Sequence, residues 1–165
     1  MMLNRRNLII AIAALAVAAG VYFGFFSKRM SAEQQILKEL EFARVSFEKG
    51  RIKQFLSVLS EDYKDEYGFT KKAIVDLARQ SYLGAPEKTV ALTPPVVKLV
   101  DKTMANVQTS ITITVLSDSG TPAGTATAPV TLVWRKGDGG WKIISANGYA
   151  TLAGAYGVDL FDEWF

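Results

Sequence analysis

Three hydrophobic regimes succeed one another along this 165-residue chain. Residues 8–26 (LIIAIAALAVAAGVYFGFF) form an uncharged run flanked by Arg5 and Arg6 before and Lys28 and Arg29 after. At about 1.5 Å per helical residue, such a run just spans a hydrocarbon layer of about 30 Å. From Ser31 to Tyr82 apolar residues recur at helical spacing, and from Glu87 onward they alternate as in strands.

The helical stretch divides into three. Ser31-Ala32-Glu33-Gln34 reads as a capping box, followed by Ile36, Leu37, Leu40, Ala43 and Phe47 on one face and Gly50 at the exit. Ile52, Phe55, Leu56 and Leu59 predict a second, shorter helix. Ser60 to Gly68 is polar and reads as an irregular connection. Thr70 suits the cap of a third helix with Ala73, Ile74, Leu77 and Ala78 on its apolar stripe, ending near Tyr82 before Gly84 and Pro86.

Strands are predicted at Thr89–Leu92 and Val96–Asp101, with a tight turn at Lys102-Thr103. Val107, Ile111, Ile113 and Val115 alternate with Gln108, Ser110, Thr112 and Thr114. A turn-rich loop at Ser117–Gly124 leads to Ala126, Ala128, Val130, Leu132 and Trp134, also alternating. Lys136 to Gly140 is a hairpin signal, and the last strand runs from Trp141 to about Tyr149. The order is α+β: an N-terminal transmembrane helix, then three helices packed on an antiparallel sheet of about four to five strands.

The first run competes with a cleaved secretory signal, whose small-x-small exit Ala16-Val17-Ala18 imitates. Val21, Tyr22, Phe23, Phe25 and Phe26 follow that exit, however, where a cleavage region is more polar. The expectation is an uncleaved single-pass anchor from Leu8 to Phe26. Ala16, Gly20 and Gly24 make a small-xxx-small ladder on which two such helices can pair. The arginines and lysines at its two ends nearly balance, so charge does not orient it. A short tail before a long domain favours a cytoplasmic N-terminus and a head outside the cytoplasmic (inner) membrane. The expected division is 1–29 tail and anchor, 30–149 head, and 150–165 aromatic tail.

Composition narrows the chemistry. The net charge of +3 arises at the anchor, because the remaining head carries 15 basic against 16 acidic residues. A near-neutral head without a basic stripe argues against nucleic-acid binding. With no histidine and no cysteine, imidazole bases, thiolate nucleophiles, the usual zinc sites and disulfides are all unavailable to it. No metal and no cofactor is expected. An enzyme built here would need carboxylates, tyrosines or lysines.

The paired N-terminal helices with Phe47-Glu48-Lys49-Gly50 between them, the helix from Thr70 directly before the sheet, and the hairpin Leu132 to Ile144 (LVWRKGDGGWKII) together resemble the nuclear transport factor two-like superfamily. That superfamily includes ketosteroid isomerases and polyketide cyclases, and the resemblance covers residues 31–149. It implies a cone: helices on a strongly bent sheet around a conical pocket. Some members are enzymes, while many bind a ligand or partner or dimerise through the open sheet face.

An isomerase-like site would need a carboxylate base and a tyrosine or protonated acid as oxyanion donor. Asp62, Asp65 and Glu66 fall in the charged connection, where a solvated surface is the ordinary reading; Asp76 lies off its helix's apolar stripe, and Asp101 beside a turn. The pocket-facing sheet surface is expected to offer hydroxyls, amides and aliphatics without an acid, so no catalytic residue is assigned. Phe55, Tyr63, Tyr67, Tyr82 and Trp134 are candidates for a pocket that takes an apolar ligand, or are simply core aromatics. Gly120, Gly124 and Gly137–Gly140 are turn glycines, since no Lys-Ser/Thr pair or following helix makes a phosphate loop. Leu160, Phe161, Trp164 and Phe165 either fold back over the head or dock into a partner groove.

The function expected is a non-catalytic, membrane-anchored binding or assembly module. Its partners are the membrane, another protein or a second copy, and an apolar ligand. The alternative is a tethered lipid- or small-molecule-binding protein, or an isomerase/cyclase-like enzyme that uses the cone pocket.

Overall fold

Helix α1 (Ala32–Glu48) starts directly after Ser31. Its inward stripe is Ile36, Leu40 and Ala43, with Ser46 also buried. Each large aliphatic side chain so buried contributes about 1.5–3 kcal/mol. In this computed structural model, residues 30–81 and 87–149 are described. The anchor positions Leu8, Gly20, Gly24 and Phe26, the pocket candidate Tyr82 and the tail residues Leu160, Phe161, Trp164 and Phe165 lie outside them. Among the described residues no helix is long and apolar enough to cross a membrane.

Gly50 ends α1 with φ +65°, and the Arg51 N–H donates back to the Ser46 carbonyl at 2.7 Å. Helix α2 (Ile52–Ser57) is shorter than the periodicity predicts. Leu59, expected on that helix, instead forms a parallel bridge with Ile143 of the sheet. Helix α3 (Lys71–Ser81) is capped as read, with the Thr70 Oγ1 accepting the Ala73 N–H at 3.4 Å.

Five strands follow: β1 (Lys88–Leu92), β2 (Val96–Leu99), β3 (Met104–Leu116), β4 (Pro122–Gly137) and β5 (Gly140–Asn147). All pair antiparallel in the order β1-β3-β4-β5, with β2 also on β3. β1 and β2 therefore lie end to end along one edge of β3, separated by Thr93 to Pro95, where two prolines have no N–H to give to a ladder. The loop expected over Ser117–Gly124 is shorter, because β4 already begins at Pro122 and extends the long β3–β4 ladder.

The β4–β5 register slips between Val133 and Trp134, which pair with Ser145 and Ile143 and leave Ile144 as an extra residue. The kink matters for what lies beside it. Ile143 accepts the Ser60 N–H at 2.9 Å and gives its own N–H to Val58, and Ile144 accepts the Lys64 N–H at 3.0 Å. The connection Ser60–Gly68, irregular as read, is thus bonded to the free edge of β5.

One sheet face packs under the helices. Val107, Val130, Leu132, Trp141 and Ile143 are buried there, together with Trp134, which is fully buried. The two buried indole Nε1 donors meet no acceptor among the described residues, a cost offset by the large apolar area of each ring. Beyond β5, Gly148 takes φ +91°, and a Cβ there would come within 2.3 Å of the Pro129 carbonyl oxygen.

Gly148→Ala should therefore cost about 3 kcal/mol or more in urea unfolding followed by tryptophan fluorescence. Gly120→Ala, at φ +77° with open space around it, should cost only about 1–2 kcal/mol.

Candidate binding cavity

The bent sheet and the three helices enclose a cavity of about 270 Å³. Leu40, Ala43 and Phe47 of α1 and Phe55 of α2 form one wall. Aliphatic residues of the inner sheet face form the other, among them Val90, Ile111, Ile113, Val130 and Leu132. The sequence expectation of a wall mixing aliphatics with hydroxyls and amides is corrected here. Strand alternation sends Gln108, Ser110, Thr112 and Thr114 to the opposite face, where Thr112 and Thr114 pair with Thr127 and Thr125 through their hydroxyls.

Among the described residues, only Arg44, Tyr63 and Tyr149 bring polar side chains to the lining. Arg44 is already engaged: Nε and Nη2 hold Glu41 at 2.8 and 2.7 Å, while Nη1 bonds Glu48 and the Val90 carbonyl, each at 2.9 Å. The hydrogen bonds from Arg44 hold the Glu41 carboxyl below its ordinary value. Two carboxylates thus neutralise this cation, and it is poorly placed to recruit an anion.

Tyr149 lies two residues past β5 and is held from two sides. Its hydroxyl donates to Asp65 Oδ2, and its ring meets Tyr67 edge-on at 5.3 Å. Asp65 Oδ1 accepts the N–H groups of Tyr67 and Phe69 at 2.9 and 2.8 Å. Asp65 was expected on a solvated surface; it is 6% exposed, a buried acceptor that closes the Asp65–Phe69 turn and clasps Tyr149. Glu66 adds a bond from the Gly148 N–H.

Tyr63 is also buried, but among the described residues its hydroxyl has no hydrogen-bond partner. Burial, reinforced by the nearby carboxylates Asp65 and Glu66, raises its phenol above the ordinary 10.0. Burial and the Asp65 hydrogen bond raise Tyr149 in the same direction.

Of the sequence candidates, Phe55 and Tyr63 line the cavity. Tyr67 does not; it packs behind Tyr149. Trp134, read as either a pocket candidate or a core aromatic, is a fully buried core residue away from the lining. Arg44 and Tyr149 were not singled out from the sequence, although Asp65-Glu66-Tyr67-Gly68 carries the turn pattern of an aspartate accepting from the backbone two residues on.

Among the described residues no carboxylate lines the cavity. Asp62 pairs with Arg135 on the surface, Lys72 binds Asp76, and Asp101 accepts three bonds within its own turn. The arrangement provides an apolar container with one unengaged hydroxyl donor and no base aimed into it. No group of three or more metal-ligating side chains occurs among the described residues.

No family model and no curated protein matches the chain. Many solved structures do. A nuclear transport factor 2-like superfamily protein from Salmonella enterica serovar Typhimurium aligns with TM-score 0.56 at 20% identity, over 71% of this chain and 89% of its own. The head has the nuclear transport factor 2-like fold. A protein of unknown function with a cystatin-like fold from Nostoc punctiforme aligns at TM-score 0.56 and 16% identity, over 72% of this chain and 92% of the other. A type 2 hexachlorocyclohexane dehydrochlorinase aligns at TM-score 0.57 and 17% identity, over 68% and 80%. At such identities the likeness extends to the fold alone.

Two outcomes follow from the tyrosine–aspartate clasp. Asp65→Asn and Tyr149→Phe should each cost about 1–3 kcal/mol and, combined, less than their sum, as a double-mutant cycle in urea reads it. The folded protein holds the Tyr63 and Tyr149 protons more tightly than the unfolded chain does. Their contribution is complete below pH about 10 and lost as the pH rises further, so absorbance titration should show both ionising only with alkaline unfolding.

Proposed function

We propose that this protein is a non-catalytic binding module that holds a small, uncharged apolar molecule in its cone cavity. The observation that carries this reading is the composition of the lining: among the described residues it is aliphatic and aromatic apart from Arg44, which is neutralised, with Tyr149 clasped and only the Tyr63 hydroxyl unengaged. Such a site selects an apolar body with one hydrogen-bond acceptor, and the cavity volume suits a single-chain lipid or a fused-ring molecule.

The uncharged run at 8–26 supports the further reading that the head is carried on a single-pass anchor outside the cytoplasmic membrane. A tethered cavity of this kind would meet its ligand at the bilayer. Self-association through the outer sheet face is a second reading. It is favoured by the uncharged hydroxyl and amide surface of Gln108, Ser110, Thr112, Thr114, Thr125 and Thr127, which opposes no like charges when two copies meet.

Photolysis of the full chain with an apolar diazirine in detergent tests the cavity. Label should fall on Ile111, Ile113 and Leu132 of the inner face, and Ala146→Phe, which fills the space beside them, should reduce it about tenfold. Label confined to residues 8–26 would remove the ligand reading. The full chain should also stay in membranes through alkaline carbonate extraction, whereas a chain shortened to residues 30–165 should be released.

A further inference from the structure

One end of the sheet combines exposed aliphatic side chains with unpaired lysines. Leu99 and Val100, 53% and 65% exposed, sit at the tip of the β2–β3 hairpin. The turn beneath them is stiff: Asp101 Oδ1 accepts the Thr103 and Met104 N–H groups and the Thr103 hydroxyl, and Val100 N–H donates to Met104 at 2.9 Å. Lys98 and Lys102 flank the tip, and both are exposed. The Lys136 N–H donates to the Thr103 carbonyl at 2.8 Å, which brings the β4–β5 hairpin to the same end with a third exposed lysine. None of the three forms an ion pair or side-chain hydrogen bond among the described residues. The acids at this end are Asp101, spent on its turn, Asp62, paired with Arg135 beside Lys136, and Asp138.

Helix α1 runs antiparallel to the β1–β2 edge. Its C-terminal half meets β1, where Arg44 and Glu48 bond the two backbone groups of Val90. Leu37, further back, shares a surface hollow with Pro95. The first turn of α1 therefore lies toward the hairpin tip, and the chain enters the fold at that end. Only residues 27–31 separate α1 from the uncharged run, a reach of at most about 18 Å when extended.

We propose that the Leu99-Val100 tip and Lys98, Lys102 and Lys136 form a docking surface for an anionic lipid bilayer. The two aliphatic side chains enter the acyl boundary and the lysines meet lipid phosphates. This inference rests on the anchor reading. If residues 8–26 span the membrane, the short connection lets the start of α1 stand no more than about 18 Å from the end of that run. Exposed aliphatics ringed by unpaired cations complement such a surface, whereas a water-facing hairpin tip gains nothing from them.

Because the chain has no cysteine, a single Val100→Cys carries a polarity-sensitive fluorophore without interference. A second label at Asp118→Cys, in the β3–β4 loop at the opposite end, serves as the aqueous reference. Full chain is reconstituted in phosphatidylcholine vesicles with and without phosphatidylglycerol. The Val100 label should shift to the blue and be quenched by lipid-chain quenchers when phosphatidylglycerol is present, while the Asp118 label stays water-like. Each lysine-to-glutamine replacement at 98, 102 or 136 should lower the inserted-to-free ratio about fivefold. Two water-like labels on carbonate-resistant protein would overturn the docking surface and leave the anchor standing. Protein released by carbonate would overturn both. A shift that follows protein density and ignores phosphatidylglycerol would overturn the proposal by showing that two copies meet at the tip.

Discussion

The structure of the candidate site depends on the hydrogen bonds between the Val58–Lys64 segment and the kinked end of β5. Because Ile144 is an extra residue in the β4–β5 ladder, the backbone of Ile143 and Ile144 turns its bonding groups toward that segment. The segment has no helix or strand of its own to satisfy its amides, so these bonds fix its path. Everything on the polar side of the cavity follows. Tyr63 is brought to the lining, and Asp65 is brought under Tyr149.

The clasp shows how a charged loop can hold a buried acid in a fixed place. Asp65 spends one oxygen on two backbone amides and the other on Tyr149. Two of these donors hold its turn together, and the third ties that turn to a residue of the cavity lining. The same fold that hosts enzymes elsewhere here encloses a nearly unbroken apolar surface.

Helices α1 and α3, the cap at Thr70, the β3–β4 alternation and the final hairpin were all legible in the sequence, because each rests on local periodicity or a local hydrogen bond. The early end of α2 and the early start of β4 were not. Leu59 leaves its helical pattern for a bridge to Ile143, and Pro122 to Gly124 join a ladder whose partner residues are fixed by β3. Of the site, Phe55 and Tyr63 were named from aromatic content. Trp134 had the same apparent qualifications but belongs to the core, since aromatic type alone cannot distinguish a cavity wall from a packed interior.

The sequence by itself determined the α+β order, the faces that turn inward, and the exclusion of imidazole and thiol chemistry, since these depend only on composition and on periods of 2 and 3.6 residues. Only the tertiary structure decided which polar groups meet the cavity. Asp65 and Tyr149 are 84 positions apart, and Arg44 and Val90 are 46 apart. No local pattern encodes such pairings. They come from a kink in one strand and from the path of a connection across its edge, and those are properties of packing.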